Sequence, residues 1–175
     1  MIAINVGSGQ RRFESIPGVI KWRNLDRVSR PPDQVPDIVC NVLKESLPFD
    51  DGSVDLVALV HTLEHWELSS QDHALAEIFR VLKPGGSVII IIPDIRALAQ
   101  RWLARQISDY IYSVNLCGAY QGEEGDFHRW HHTQSSLEEK MMQWPWKTIK
   151  RFDWRKIPGF DCQPDWWYWG LECFK

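Results

Sequence analysis

Short apolar segments separated by polar turns run through the first half of the chain, and this pattern predicts the strands of a sheet. The predicted strands cover residues 2–6, 18–25, 37–40, 54–60 and 87–92. Segment 54–60 is apolar almost without interruption, which is typical of a strand buried on both faces of a parallel sheet. We therefore expect these five segments to form the centre of the fold.

A helical period begins near residue 69 and predicts an amphipathic helix between the fourth and fifth strands. Ser69 or Ser70 is the predicted N-cap. The apolar face of the helix is formed by Ala74, Leu75, Ile78, Val81 and Leu82. The segment Lys83-Pro84-Gly85-Gly86 ends it, because proline cannot continue a helix and glycine supplies the left-handed turn. Two further helices are predicted over 95–105 and 135–142.

The alternation of strands and helices predicts a single α/β domain over residues 1–175 with a mainly parallel sheet. Two strand segments in the tail, 148–154 and 167–174, predict an antiparallel hairpin at the sheet edge. Only sixteen residues separate Gly9 from Asp26, and residues 27–34 have no room for a helix. The first crossover helices are therefore expected to be shortened or absent.

Composition and charge act mainly by exclusion. Of 175 residues, 44% are hydrophobic and 25% charged, which is ordinary for a globular domain. The formal net charge of −3 provides no basic field for phosphates, so nucleic acid binding is disfavoured. The longest strongly apolar stretch, 88–92, is too short to cross a bilayer, and no basic leader follows Met1, so we expect a cytoplasmic protein without a membrane span. The four cysteines form no C-x-x-C pair, which argues against a disulfide framework or a cysteine zinc site.

Candidate ligand-binding residues follow the first three predicted strands. Gly7-Ser8-Gly9 would bring backbone amides close to a ligand, Asp26 could accept hydrogen bonds from two ribose hydroxyls, and Asn41 could pair with an adenine edge. Together they predict a nucleoside pocket. The third glycine of a dinucleotide fingerprint is replaced by Arg12, and no P-loop pattern occurs. A cofactor with a pyrophosphate is therefore disfavoured.

Six phrases in order, NVGSG, NLD, LPFDDGSVDLV, HTLEH, AEIFRVLKPGG and IIPD, resemble the class I methyltransferases that use S-adenosylmethionine, and most closely the small type 11 group. The resemblance covers residues 2–94 well and the remainder loosely. It implies a Rossmann-like fold, S-adenosylmethionine as cofactor, and Val42 or Leu43 against the adenine ring. The implied cofactor-binding residues are Gly7, Ser8, Gly9, Asp26, Asn41, Val42 and His61.

The resemblance also implies a role for each matched position. Gly7 and Gly9 would pass under the methionine part of the cofactor, and Asp26 would hold the ribose. His61 would face the cofactor near the point of methyl transfer. Asn41 stands where the family often has an aspartate that reads the adenine amine. Because that charge is lost here and the first crossover is short, we expect these two departures to act on cofactor affinity.

The phrase HTLEH also fits the H-x-x-E-H pattern of zinc peptidases, with His61 and His65 as ligands and Glu64 as general base. Spacing i, i+4 puts two imidazoles on one face of a helix. Here the pattern follows directly on a buried strand, residues 66–70 interrupt any helix that could carry it, and nothing announces a third ligand. No metal ligand is therefore predicted, and a zinc hydrolase remains the less favoured alternative.

A second histidine cluster, residues 126–132, follows the glycine- and acid-rich loop 118–125. These are either solvated loop histidines, or the loop folds over the cofactor mouth and offers His128 as a base or substrate contact. Methyl transfer is a direct displacement at an activated carbon, so a base is needed only for a protonated nucleophile. His61 and His128 are the predicted bases, with Asp94 as a third candidate.

The methyl acceptor is poorly indicated. No [DN]-P-P-[YFW] phrase follows the fourth strand and no Pro-Cys nucleophile occurs, which argues against methylation of DNA bases. An O or N nucleophile of a small molecule, a sugar or a natural product fits best. Six of the ten tryptophans lie in the last 32 residues. The alternative is a non-catalytic relative that acts as a binding module through this tryptophan-rich segment. The oligomeric state stays open.

Overall fold

The computed structural model describes residues 1–10, 12–18, 20–32, 35–119, 124–157 and 168–175. The described strands are β1 (Ile2–Val6), β2 (Lys21–Asp26), β3 (Ile38–Val39), β4 (Val54–Val60), β5 (Leu82–Pro93), β6 (Thr148–Phe152) and β7 (Tyr168–Phe174). The described helices are α1 (Leu68–Val81), α2 (Ile95–Leu103), α3 (Asp109–Cys117) and α4 (Gln134–Met142). No helix in these ranges is long and apolar enough to cross a membrane.

All seven strands form one sheet in the order β3-β2-β1-β4-β5-β7-β6. The pairings among β1 to β5 are parallel, while β7 pairs antiparallel with both β5 and β6. The predicted α/β class, the mainly parallel Rossmann-like sheet and the antiparallel C-terminal hairpin are confirmed. Trp167, the first residue of the last predicted strand, lies outside the described residues.

The two faces of the sheet are covered differently. One face packs against apolar side chains of α1 and α4, among them Ile78 and Leu137, which are fully buried. The other face is covered by Phe13, Ile20 and Ile157, which lie outside the helices. In the described parts of the β1–β2 and β2–β3 connections there is no helix, so the prediction of shortened or absent first crossovers is confirmed. The first connection is too short for more than one or two helical turns and the second has no room for a helix, so large side chains from loops cover the sheet instead.

Some local predictions were wrong, and one helix was not predicted. Helix α1 begins at Leu68, with Glu67 at the N-cap position and no side-chain cap, so neither Ser69 nor Ser70 caps it. Strand β5 begins at Leu82 rather than residue 87, with an irregular register opposite Val54 and Leu56. Helix α3 was not predicted, because none of its residues is buried and it therefore carries no amphipathic period.

Candidate functional site

A cavity of about 480 Å³ opens at the carboxyl ends of the parallel strands, where the order of the sheet reverses between β1 and β4. This is the ordinary location of ligand sites in open α/β sheets, and the volume suits a small molecule. The seven residues predicted to bind the cofactor all line it: Gly7, Ser8, Gly9, Asp26, Asn41, Val42 and His61. They come from the ends of four strands that meet only in the folded sheet.

The turn after β1 forms the floor of the cavity, and two glycines shape it. Gly7 has a positive φ of 69°, and a Cβ at this position would lie 2.4 Å from Cγ2 of Thr62. The hydroxyl of Thr62 in turn donates a hydrogen bond to the carbonyl of Val6 at 2.9 Å. Gly9 also has a positive φ, of 50°, but has open space around it. Close packing therefore requires glycine at position 7, while conformation alone favours it at position 9.

Asp26 at the end of β2 fastens this turn. Its Oδ2 accepts a hydrogen bond from the amide of Gly9 at 2.8 Å, and its Oδ1 accepts one from the amide of Val28 at 3.2 Å. A carboxylate has about four acceptor positions, so two remain for hydroxyl groups of a ligand. The side-chain hydroxyl of Ser8 is buried and has no hydrogen-bond partner within the described part of the chain. Acceptors and a donor are thus available to a polar nucleoside.

Asn41 begins a turn after β3. Its side-chain Oδ1 accepts a hydrogen bond from the backbone amide of Leu43 at 3.2 Å, and its backbone amide donates to Oε2 of Glu45 at 3.0 Å. The turn holds Val42, which is buried, and Leu43 against the cavity. One acceptor position of the Asn41 amide is therefore engaged within the turn, and the apolar pair offers a surface for a flat ring.

His61 follows β4 with a positive φ of 53°, which directs its imidazole into the cavity. Its Nδ1 lies 3.3 Å from Oε1 of Glu64, and its ring centroid lies 4.1 Å from that of Tyr168. The segment Leu63–His65 forms a single turn of 3-10 helix. Because His61 precedes this turn, the two histidines of HTLEH do not share a helical face. The peptidase-type helix of the zinc alternative is therefore absent.

His128 reaches the same cavity from a distant part of the chain. The carbonyl of Glu64 accepts hydrogen bonds from the amides of Arg129 at 2.7 Å and Trp130 at 3.1 Å. Nδ1 of His65 lies 3.3 Å from the carbonyl of Phe127. These contacts attach residues 127–130 to the turn after β4, and the centroids of the His65 and His128 rings are 4.8 Å apart. Gly118 and Gly125 also line the cavity, while residues 120–123 of the predicted covering loop lie outside the described residues.

Burial shapes the charges of this cluster. Burial opposes ionisation of Glu64, but the hydrogen bond with His61 and the neighbouring imidazoles hold its pKa below the ordinary value. Burial also lowers the pKa of His128 to about 4. A buried carboxylate and a neutral imidazole therefore face each other at the cavity wall.

Asp94, the third predicted catalytic residue, is not among the lining residues of the cavity. Its Oδ1 accepts hydrogen bonds from the amides of Arg96 at 3.1 Å and Ala97 at 3.0 Å, so it caps the first turn of α2. A carboxylate directly before a helix serves this role well. The catalytic role of Asp94 stays a prediction, and the observed role is that of a helix cap.

Several lining residues were not predicted from the sequence. Val114 and Asn115 of α3 lie on the wall, and Tyr168 of β7 packs on His61. Glu64 and His65 were considered only as parts of a zinc motif. No local pattern in the sequence relates them to His128, since the contact joins segments more than sixty residues apart.

Comparison with known proteins supports the resemblance that the motifs indicated. A family described as "Methyltransferase domain", of type 11, matches residues 19–90. The ubiquinone/menaquinone biosynthesis C-methyltransferase UbiE of Hydrogenovibrio crunogenus is 33% identical over 70 residues, which are 40% of this chain and 26% of that protein. The uncharacterized protein YafE of Escherichia coli is 43% identical over 47 residues, 27% of this chain and 22% of that protein. The chain therefore spans about a quarter of the length of these relatives.

Solved structures share the whole fold. A SAM-dependent methyltransferase from Archaeoglobus fulgidus superposes with a TM-score of 0.62 at 11% identity, covering 99% of this chain and 86% of that one. A methyltransferase from Burkholderia thailandensis, solved with 1,6-didemethyltoxoflavin and S-adenosylhomocysteine, gives 0.57 at 15% identity, covering 99% and 70%. The resemblance to class I methyltransferases and their fold is confirmed.

Proposed function

We propose that the chain is an S-adenosylmethionine-dependent methyltransferase that acts on an O or N nucleophile of a small molecule, a sugar or a natural product. The observation that carries the proposal is the gathering of Gly7, Asp26, Asn41 and His61 from four strand ends around one cavity of about 480 Å³. The family match over residues 19–90 supports the same reaction class.

The chemistry of the lining fits S-adenosylmethionine. Asp26 keeps two acceptor positions for the ribose hydroxyls, and Val42 with Leu43 offers an apolar surface to adenine. The turn from Gly7 to Gly9 leaves backbone close to the methionine part, with the buried hydroxyl of Ser8 beside it. When bound, the cofactor supplies a methyl group that is already electrophilic. The protein mainly has to align the acceptor with it.

His61 is the proposed general base for a protonated acceptor. Glu64 accepts from its Nδ1 in this arrangement, which fixes the tautomer and leaves the lone pair on Nε2. The same use of a carboxylate to orient an imidazole occurs in hydrolase triads. A histidine base is useful for O–H and N–H nucleophiles, which must lose a proton during transfer. His128 is the second proposed base, and it lines the same wall.

Calorimetric titration with S-adenosylhomocysteine tests the cofactor assignment. We expect saturable binding by the wild-type protein and at least about tenfold weaker binding by Asp26→Ala, because charge-assisted hydrogen bonds to the ribose are lost. Asp153→Ala removes a carboxylate from the protein surface and should bind like wild type. Absence of binding at millimolar ligand would contradict the proposal and favour the non-catalytic binding module. Equal binding by both variants would remove Asp26 from the site.

A further inference from the structure

Three side chains that commonly bind metal ions converge on the cavity wall. Glu64, His65 and His128 each offer one ligand atom, and these atoms all lie within 4.8 Å of one another. Glu64 is only 2% exposed, yet its Oε2 has no hydrogen-bond partner in the described part of the chain. A buried carboxylate oxygen without a donor is costly, so a bound cation would satisfy it.

The second polar atom of two of these side chains is held by a neighbour. Oε1 of Glu64 contacts Nδ1 of His61 at 3.3 Å, which leaves Oε2 available. Nδ1 of His65 lies 3.3 Å from the carbonyl of Phe127, which places the proton on Nδ1 and the lone pair on Nε2. Metal-binding histidines are usually oriented in this way, by donating the other ring nitrogen to a carbonyl or carboxylate.

Backbone hydrogen bonds hold the two segments of the cluster together. The amides of Arg129 and Trp130 both donate to the carbonyl of Glu64, so moving residue 128 away from residues 64 and 65 would break these hydrogen bonds. Nδ1 of His128 is itself buried and has no hydrogen-bond partner among the residues described. The cluster thus combines a fixed backbone with a buried carboxylate oxygen that has no hydrogen-bond donor in the described part of the chain.

We propose that Glu64, His65 and His128 bind one divalent transition metal ion, with zinc as the reference ion. Two imidazoles and one carboxylate suit zinc and its first-row neighbours, whereas Mg²⁺ and Ca²⁺ prefer oxygen ligands. Tetrahedral ligands about 2.1 Å from zinc lie about 3.4 Å apart, so side-chain movements of about 1 Å complete the geometry. This site differs from the H-x-x-E-H hypothesis, because His128 takes the place of His61.

Three protein ligands leave a fourth position open, and all three side chains line the cavity. An oxygen or nitrogen atom of the methyl acceptor would occupy that position, and the ion would lower its pKa. This consequence rests on the proposed methyltransferase function, while the metal site itself does not. With the ion bound, His128 acts as a ligand and His61 remains the base.

Titration of tag-free, chelator-treated protein with Co²⁺, followed by visible absorption, tests the site. We expect one equivalent to give a tetrahedral-type spectrum that Zn²⁺ abolishes and a large excess of Mg²⁺ leaves unchanged. Glu64→Gln, His65→Ala and His128→Ala should each weaken Co²⁺ binding at least tenfold. His73→Ala, which removes an exposed histidine of α1, should match wild type.

Urea unfolding of the same variants serves as the independent check of folding. A folded variant that has lost Co²⁺ binding supports the metal site, and Glu64→Gln keeps the shape of the side chain if the alanine variants unfold. No saturable Co²⁺ spectrum in wild type, or unchanged binding in Glu64→Gln and His128→Ala, overturns it. Metal binding without any nucleoside binding would instead uphold the site and contradict the proposed function.

Discussion

The two walls of the cavity are built by different means. The wall after β1, β2 and β3 consists of short turns whose backbone amides donate hydrogen bonds to nearby side chains. The amide of Gly9 donates to Asp26, and the amide of Leu43 donates to the side chain of Asn41. The wall after β4 contains two ionisable side chains, the buried Glu64 and the half-buried His128, that are brought together from distant segments. Under the proposed function, the first wall would bind the cofactor and the second would act on the methyl acceptor.

This difference explains how the part of the molecule around β1, β2 and β3, whose described connections have no helix, can still form one side of a binding site. A turn needs only close backbone packing and one carboxylate, so the loss of flanking helices leaves the wall intact. The wall after β4 requires packing between distant segments of the chain, because each of its ionisable groups must be removed from water and paired. Changes in the first wall should therefore act on folding and cofactor affinity, changes in the second on transfer, and changes behind the second on acid sensitivity.

The largest expected effect is on folding, in the turn after β1. Gly7→Ala should lower the free energy of unfolding by about 3 kcal/mol or more, since the added Cβ meets Thr62 at 2.4 Å in a left-handed conformation. Gly9→Ala, with open space around it, should cost only about 1 kcal/mol. Urea unfolding measures both. Equal losses would show that conformation, not packing, decides this turn.

The next effect is on methyl transfer, in the wall after β4. His61→Ala should slow transfer of a labelled methyl group about 100-fold, because the proposed base is lost. The affinity of this variant for S-adenosylhomocysteine should change less than about tenfold, which is about 1.4 kcal/mol of binding free energy. An acceptor found in a screen of phenols, sugars and amines provides the assay, and His73→Ala is the matched control. An unchanged rate would remove His61 from the chemistry.

Acid sensitivity should arise behind this second wall, at His132, which is buried but does not line the cavity. Burial, followed by the charge of Lys140 and the proximity of His131, lowers the pKa of His132 to about 4, below its unfolded value. The unfolded chain therefore takes up a proton first, and stability is lost as pH falls below about 6.5. Nε2 of His132 lies 3.0 Å from Oε1 of Gln71, and its Nδ1 lies 3.4 Å from the hydroxyl of Ser136.

His132→Gln should retain much of this bonding and remove the titration. Between pH 7 and pH 5 the wild type should lose about 1 kcal/mol more of its unfolding free energy than the variant. Urea unfolding at the two pH values measures the difference, and His73→Gln should follow the wild type. Parallel losses in wild type and His132→Gln would assign the acid sensitivity to other groups.

The smallest effect is expected just outside the cavity. Asp94→Ala should cost about 1 kcal/mol of stability by removing the cap of α2. Binding of S-adenosylhomocysteine should not change, since Asp94 does not line the cavity. Thermal unfolding and calorimetry give the two values. A tenfold loss of affinity would return Asp94 to the site.

Much of the first wall was predictable because its determinants are local. Gly7 and Asn41 follow strands and Asp26 ends one, and the ends of parallel strands meet at one edge of a sheet. The strand β4 was predicted with its observed bounds, because an uninterrupted apolar run has few other uses in an α/β domain. Helix α3 was missed for the opposite reason, since it has no buried residue and thus no period.

The strand pattern, the short first crossovers and the residues at the strand ends can be read from the sequence alone. The structure was needed to show that HTLEH forms a strand end and a single turn, that Asp94 caps a helix, and that His128 lies beside Glu64. The physical reason is the distance along the chain over which each kind of interaction acts. Strand and turn preferences act between neighbours in the chain, whereas desolvated carboxylates and imidazoles acquire their partners only when distant segments pack together.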